Sequence, residues 1–600
     1  MEVTAQTAAG WPFHALLRGP PLNRPRVAVQ KTNRKGRTLY RSSLTVTSAG
    51  SLRSIIGSAG QRHKLSLRCL SGYAGKLSFF SHPSASFFCS ISLGRTSMDR
   101  FVCYTSEGET VQKSYRWPDN QKPRICILGG GFGGLYTALR LESLVWTDDK
   151  KPQVLLVDQS DKFVFKPLLY ELLSGEVDPW EIAPSFTELL KSTSAHFIKD
   201  KVKLLRPSDH LDNSGKNGPG KSCSGGTVLL ESGVLVEYDW LVLALGAAAK
   251  LDVVPGSAEF AYPFSTLEDA IKVDDKLRML EREQFSKDSS TISVAIVGCG
   301  YSGVELAATI SERLKGRGIV QAINVETSIC PTAPLGNREA ALKVLSSRNT
   351  KLLLGYFVSS IIEAPPSKDS AVFIGAEQEM SVDNEVKTHS KYILELKPAQ
   401  RGLQSQILEA DLVLWTVGSK PLVPELEPSD HPRALPLNGR GQAETDETLR
   451  VKGHPRIFAI GDSAAMRDSS GKLLPATAQV AFQQADFAGW NLWAAINDRP
   501  LLPFRCLTTI VTSSAHWMSS FQNLGEMMTL GRNDAAVSPS FIDGFTLDGP
   551  IGHTARKLAY LWRLPTDEHR LKVGISWLTK AAVDTVASLQ TTIANALSLS

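Results

Sequence analysis

Six hundred residues exceed what one hydrophobic core organises, so the chain is expected to divide into two or three domains. A composition of 42% hydrophobic and 21% charged residues is that of a soluble globular chain, and no apolar run reaches the roughly eighteen residues that span a bilayer. The net charge of +6 is local: residues 1–100 hold fifteen Lys or Arg against only Glu2 and Asp99, whereas 101–600 hold 51 basic and 58 acidic residues, so no nucleic-acid partner is inferred.

Residues 1–100 are rich in Arg and Ser, nearly free of acid, and lack the compact apolar stretch of a secretory signal. They read as a disordered organelle transit peptide, with plastid and mitochondrion both consistent. The eight cysteines (Cys69, Cys89, Cys103, Cys126, Cys223, Cys299, Cys330, Cys506) form no CxxC or CxxxxC pair. That excludes a zinc spacing and a redox dithiol motif.

The first periodic unit opens with an apolar strand, Arg124–Leu128, followed by GGGFGG and a helix-like stretch over Leu135–Leu144. In its GxGxxG pattern Gly129 allows the tight turn, Gly131 lets backbone approach a pyrophosphate, and Gly134 lets helix pack close to strand. The helix N-terminus would offer free N–H groups and partial positive charge to the phosphates of FAD. The next strand, Val154–Gln159, places Asp158 24 residues after Gly134, where a carboxylate accepts from an adenosine ribose. FVFKPLLYELLSGEVDPWEI then reads as a loop with a short helix, and Ser208–Gly226 as a polar surface loop. VEYDWLVLALGA (Val236–Ala247) reads as one buried strand running into a turn at Gly246.

A second glycine turn begins 169 residues after the first, with Gly298, Gly300 and Gly303 leading a helix over 301–314. One turn holds one dinucleotide, so two imply electrons passing between two. An acid ending the next strand selects NADH, and its absence admits the 2′-phosphate of NADPH. In IVQAINVETSICP one register puts Asn324 there and a shift of two puts Glu326; the sequence leaves both open. Glu305, in the first turn of that helix, is a candidate for a role beside the nucleotide. KLLLGYFVSSIIEA and HSKYILELKPA read as strands, and ADLVLWTVGSKP closes the unit with Gly418 at its tip. VKGHPRIFAIGDSA is a strand ending in Gly461-Asp462, the arrangement that sets an Asp against the ribityl chain and phosphate of a flavin. A long helical stretch from Ala476 to about Asn497 follows.

The expected fold is therefore α/β, with two Rossmann-like dinucleotide-binding domains (a two-dinucleotide-binding flavoprotein fold) and a C-terminal membrane-associating region. The expected boundaries are 1–100 for the transit peptide, 122–250 and 423–503 for the two parts of an FAD-binding domain, 251–422 for an NAD(P)H-binding domain, and 504–600 for the C-terminal region.

With these residues in view, the chain resembles the type II NAD(P)H:quinone oxidoreductases, the single-subunit rotenone-insensitive dehydrogenases, and is most similar to their cyanobacterial-type plastid branch. AQVAFQQ (Ala478–Gln484) matches the AQxAxQQ quinone-site helix of that family at every fixed position. FKPLLYELLSG (Phe165–Gly175) is similar to its F-x-P-L-L segment beside the flavin, and ADLVLWTVG to its segment near the nicotinamide. The resemblance implies non-covalent FAD, hydride transfer from NADPH or NADH, and two-electron reduction of a membrane quinone without proton pumping. It puts Gln479 and Gln483 on the quinone pocket, Ala478 among the cofactor-binding residues, and Glu305 near flavin and nicotinamide. It implies a chloroplast protein peripheral on thylakoid or plastoglobule, or a mitochondrial one. The flavin carries the hard chemistry, hydride transfer needing nicotinamide and flavin at about 3–3.5 Å, and neither a metal nor a side-chain nucleophile is required.

The tail carries Ile575, Leu578, Ala582, Val586, Leu589 and Ile593 near helical spacing, with Trp577 and Lys580 alongside, as expected of a helix lying in a membrane interface. A helix docked on the protein or in a homodimer is the other reading. Two departures stand out: no EF-hand loop occurs, and Cys506–Ser520 interrupts the family's run from Pro503–Arg505 into FQNLGEMMTLG. Competing functions are a disulfide reductase, which lacks its cysteine pair here, a reductase of a small carrier protein, and a non-enzymatic FAD-binding redox partner.

Overall fold

The computed structural model describes residues 113–208, 225–286, 291–365, 391–426 except 401 and 403, 435–506 except 469 and 470, and 520–598 except 522. The leader, most of the 208–226 loop and most of the 506–520 insertion lie outside the described residues. The described residues all fall in one unit of the chain, Ala85–Ser600.

Strand β1 (Arg124–Leu128) feeds helix α1 (Phe132–Ser143), and β2 (Gln153–Asp158), β3 (His196–Lys199) and β4 (Trp240–Leu243) follow. Farther on, β5 (Ile292–Val297) feeds α2 (Tyr301–Leu314), then come β6 (Gly318–Asn324), β7 (Lys351–Leu354) and β8 (Leu412–Trp415). The chain then returns to the first sheet through β9 (Ile457–Ala459). The two parallel sheets run β9-β4-β1-β2-β3 and β7-β6-β5-β8, the second extended at β8 by Tyr262–Pro263. Their central strands are continuous apolar runs because helices cover one face and antiparallel strands the other: Cys126 and Leu128 pack with Val228 and Tyr238, and Ala295 and Val297 with Val358 and Leu394; Ile125 through Leu128 are fully buried.

Val236–Ala247 is not one strand. It splits at Asp239 into Leu235–Tyr238, antiparallel to Gly226–Leu230, and β4, parallel to β1. The Asp239 carboxylate accepts from the Arg124 backbone N–H at 2.8 Å and from its guanidinium at 2.9 and 3.1 Å, so the chain changes sheets where a charge pins it. Helix α1 begins three residues before the expected Leu135, because Gly131 already has extended N-cap geometry.

The C-terminal region folds as an antiparallel sheet, β10 (Glu526–Thr529), β11 (Ala535–Ser538) and β12 (Leu547–Asp548), followed by helices α4 (Gly549–Arg563) and α5 (Asp567–Ser598). It bridges the molecule. The sheet side meets α2 and the helix Leu335–Ser347: Asn337 donates to the Glu526 carbonyl and accepts from the Ser538 hydroxyl. The helices grip the segment 165–182 beside the first sheet, through Arg556, Lys557 and Lys580.

Candidate active site between two nucleotide turns

The two glycine turns are built alike. Gly129 and Gly298 hold φ of 99° and 101°, a region natural only to glycine, and their N–H groups donate to Val157 and Ile323 at 2.8 Å. A Cβ on Gly134 would lie 1.8 Å from the Gly129 carbonyl oxygen, and one on Gly303 1.8 Å from that of Gly298, so helix and strand touch only because both are glycine. By contrast, a Cβ on Gly131 or Gly300 would meet nothing within 4 Å. That open space lies at the N-terminus of a helix with no side-chain cap and no acid in its first turn. Uncapped amides facing free space fit a pyrophosphate at each turn.

Parallel register settles which residues correspond. Leu128 pairs with Val157 and Val297 with Ile323, so the next residues along β2 and β6, Asp158 and Asn324, occupy equivalent places. Asp158 accepts from the Gly130 N–H at 2.6 Å, and the Asn324 amide oxygen accepts from the Cys299 N–H at 3.2 Å, each bond reaching the residue after the first glycine. Asn324 also donates to the Ser328 carbonyl. Glu326 lies two residues past the end of β6 and is exposed.

Around the first turn, Gly461 (φ 65°) opens a short 3₁₀ turn containing Asp462, and its N–H donates to the Gln484 side chain at 2.6 Å. Burial pushes the Asp158 and Asp462 carboxyls above the usual range, while the Lys166 charge pulls both down. A cation whose charge acts on both carboxylates fits the diphosphate and ribityl stretch of FAD at this turn. Gly246 (φ 73°) is tied to this turn by its N–H to Ser463 at 2.9 Å. Gly418 (φ 78°) follows β8 in the second unit, with its carbonyl accepting from Lys250.

AQVAFQQ opens helix α3 (Ala478–Ile496), with Ala478 first and Thr477 capping through the Val480 N–H. Gln479 and Gln483, four apart, share a face and are half-buried. Between them Phe482 packs on Phe132 and Tyr136 of α1, ring centres 4.8 and 4.4 Å away. Gln484, unassigned from sequence, is the fully buried glutamine that holds Gly461. Its place in the AQVAFQQ motif was the available signal.

Glu305 is the fifth residue of α2, just past the first turn rather than in it, and is buried, not solvated. Its carboxylate accepts from the Thr529 N–H at 3.0 Å. Burial drives its pKa up to about 7, opposed by the Arg556 charge and the Thr529 bond and reinforced by Glu171. Tyr170, whose hydroxyl donates to Ser302 at 2.8 Å, lies beside it. Arg556, Glu171 and Tyr170 were not legible in the sequence, because their roles arise only where distant segments converge.

The equivalent position of α1, seven residues past its first glycine, is Tyr136, whose hydroxyl donates to the Arg563 carbonyl of α4. Each turn's helix is thus held by the C-terminal region at the same point. Along α5, one side is docked: Lys580 pairs with Glu181 at 3.0 Å and Asp178 at 2.9 Å, Ser576 donates to Glu181, and Trp577 stacks under Lys557. Trp577 and Lys580 therefore face the protein. The opposite side exposes Leu571, Ile575, Leu578 and Val586, with Leu558 and Trp562 of α4 also exposed. The side chains of Leu589 and Ile593 lie outside those described. Among the described residues no helix is long and apolar enough to cross a membrane.

Comparison with known proteins agrees with this architecture. The model of the pyridine nucleotide-disulphide oxidoreductase family matches residues 123–485. Over 493 residues the chain is 66% identical to an Arabidopsis thaliana protein named alternative NAD(P)H-ubiquinone oxidoreductase C1, chloroplastic/mitochondrial, covering 82% of this chain and 88% of that one. Over 469 residues it is 39% identical to the demethylphylloquinone reductase NdbB of Synechocystis sp., covering 77% and 97%. Its fold is similar to that of NDH2 from Plasmodium falciparum in complex with NADH, with a TM-score of 0.56 at 17% identity, covering 76% and 98%.

Proposed function

The chain belongs to the pyridine nucleotide-disulphide oxidoreductase family, in its type II NAD(P)H:quinone oxidoreductase branch of plant and cyanobacterial type, and we propose that it passes two electrons from NADPH through FAD to a membrane quinone. FAD, if bound at the first turn, would supply the two-electron redox chemistry that links a nicotinamide donor to a quinone acceptor. Gly129, Gly131 and Gly134 would hold its diphosphate, Asp158 its ribose, and Gly461 and Asp462 its ribityl stretch, with Lys166 balancing charge. Gly298, Gly300, Gly303 and Gly418 would hold the nicotinamide nucleotide. We read 122–250 with 423–503 as the FAD-binding part and 251–422 as the NAD(P)H-binding part.

NADPH is favoured over NADH by one observation: the residue equivalent to Asp158 is Asn324, an uncharged amide that does not repel a 2′-phosphate. Glu326 then plays no part in selection. In this reading Gln479 and Gln483 would line the approach for the quinone head, and Glu305, its pKa raised to about 7, would be able to take up and release a proton near neutral pH. The exposed apolar face of α4 and α5 supports contact with a lipid surface, which a lipid-soluble quinone requires. The relative named chloroplastic/mitochondrial supports a plastid site, with a mitochondrial pool in addition. The kinship disfavours reduction of a carrier protein or a non-enzymatic role.

The decisive experiment is steady-state oxidation of NADPH and NADH by the flavin-loaded protein with a short-chain quinone. Quinone-dependent turnover preferring NADPH is expected. Bound flavin without quinone turnover would overturn the function, and preference for NADH would overturn the Asn324 assignment. Flotation of the protein with lipid vesicles tests the membrane face separately.

A further inference from the structure

An uncharged Asn324 removes a repulsion but attracts nothing; a site that prefers NADPH also needs a cation near the strand end. No Lys or Arg follows Asn324 along the chain until Arg338, the fourth residue of the helix Leu335–Ser347. The fold brings that residue back to the second turn. Asn324 accepts from the Cys299 N–H at 3.2 Å, and the Cys299 carbonyl accepts from the Cys330 N–H at 2.8 Å, so the loop after β6 lies against the turn. Arg338 reaches backward along its helix, as helical side chains do, and its Nη2 donates to the carbonyls of Pro331 at 3.1 Å and Ala333 at 3.2 Å. Burial pushes the Cys330 thiol up to about 12, and the Arg338 charge works against it. Asn324, Cys299, Cys330 and the guanidinium are thus successive neighbours.

Two of the three guanidinium nitrogens are committed. Nη2 is taken by the two carbonyls, and Nε is buried. Nη1 is open to solvent and has no hydrogen-bond partner among the described residues. Among those residues no carboxylate pairs with Arg338, and the first turn of its helix contains no acid. Pro331, Thr332 and Leu335 around it are exposed. Glu326, the acid of the same loop, is held elsewhere by its backbone: its carbonyl accepts from the Gly355 N–H at 3.2 Å, just past β7. A guanidinium anchored on one side, unneutralised and open on the other, is arranged to receive an anion.

Resting on the reading that this chain prefers NADPH, we propose that Arg338 binds the 2′-phosphate of NADPH through Nη1. Asn324 admits the phosphate, and Arg338 attracts it. The two carbonyl bonds hold the guanidinium in place before the nucleotide arrives, which lowers the ordering cost of binding. Arg338 is a specificity residue and not a catalytic one. It meets only the group that distinguishes NADPH from NADH, at the adenosine end of the nucleotide.

Binding of adenosine 2′,5′-bisphosphate and of 5′-AMP to the flavin-loaded protein, measured by isothermal titration calorimetry, isolates this contact from hydride transfer and from quinone. The wild type is expected to bind the bisphosphate more tightly. Arg338→Gln is expected to lower the ratio of the two affinities about 10- to 100-fold, the loss of one charge-assisted hydrogen bond. Arg338→Lys keeps the charge without the planar fork and should lower the ratio by less, about 3- to 10-fold; it decides the matter where the Gln variant does not fold. A ratio that stays at the wild-type value would overturn the proposal, and equal weakening of both ligands would show that Arg338 only anchors the loop. A wild type that binds the two ligands equally would instead bring down the NADPH preference, and this subsite with it.

Discussion

The two glycine turns share a backbone and differ in one side chain at the strand end and in what holds their helices. Asp158 and Asn324 make the same backbone bond from equivalent places, yet one carries a charge and the other does not. Seven residues past the first glycine, α1 presents Tyr136 in an aromatic cluster, while α2 presents the buried carboxyl of Glu305. Glycine geometry thus makes a turn able to hold a dinucleotide, and under the proposed function the strand-end side chain would decide which. The helix position facing the C-terminal region decides whether that side of the turn is a packing contact or a titrating group.

The comparison breaks most visibly at the third glycines. Gly134→Val and Gly303→Val each drive a side chain into a carbonyl oxygen that even a Cβ would approach to 1.8 Å. Gly134→Val is expected to purify without flavin absorbance. Gly303→Val should retain flavin while NADPH oxidation falls on the order of 100-fold, the cost of misplacing reactants by about 1 Å. Loss of flavin from both would show that the turns do not act separately.

Next in size is the strand-end exchange. Asn324→Asp is expected to lower the NADPH-to-NADH ratio of kcat/KM by about 10- to 100-fold, through repulsion of the 2′-phosphate. No change in that ratio would remove Asn324 as the selector. The mirror change, Asp158→Asn, should weaken flavin binding by about tenfold, measured by titration of apoprotein, and leave the nucleotide ratio alone.

The smallest effect is on stability. Glu305 titrates at about 7 in the folded chain against an ordinary 4.5, because burial disfavours its charge. The folded state therefore holds a proton that the unfolded chain releases, and stability falls as pH rises from about 4.5 to 7, then levels. Glu305→Gln abolishes this fall. Its Tm should equal that of the wild type at pH 4 and exceed it at pH 8 by about 2–4 °C. An equal difference at both pH values would place the effect in packing rather than in the proton.

Much of this was legible along the chain because it is local. A turn that needs φ near 100° needs glycine, and a strand buried on both faces needs an apolar run, so GGGFGG after RICIL and GCGYSG after SVAIV announce themselves. AQVAFQQ was legible as a motif, although Gln484, the glutamine that holds Gly461, was not singled out. What only the tertiary structure decided depends on partners far away in sequence. The register of β5 on β6 chose Asn324 over Glu326, and Asp239 cut one apolar run into strands of two sheets by capturing Arg124. Glu305 became a group titrating near neutrality only because β10, 224 residues on, covers it, and Arg556 found Glu171 across 385 residues. Backbone conformation is set by neighbouring residues, whereas burial and charge are set by whatever the fold brings alongside.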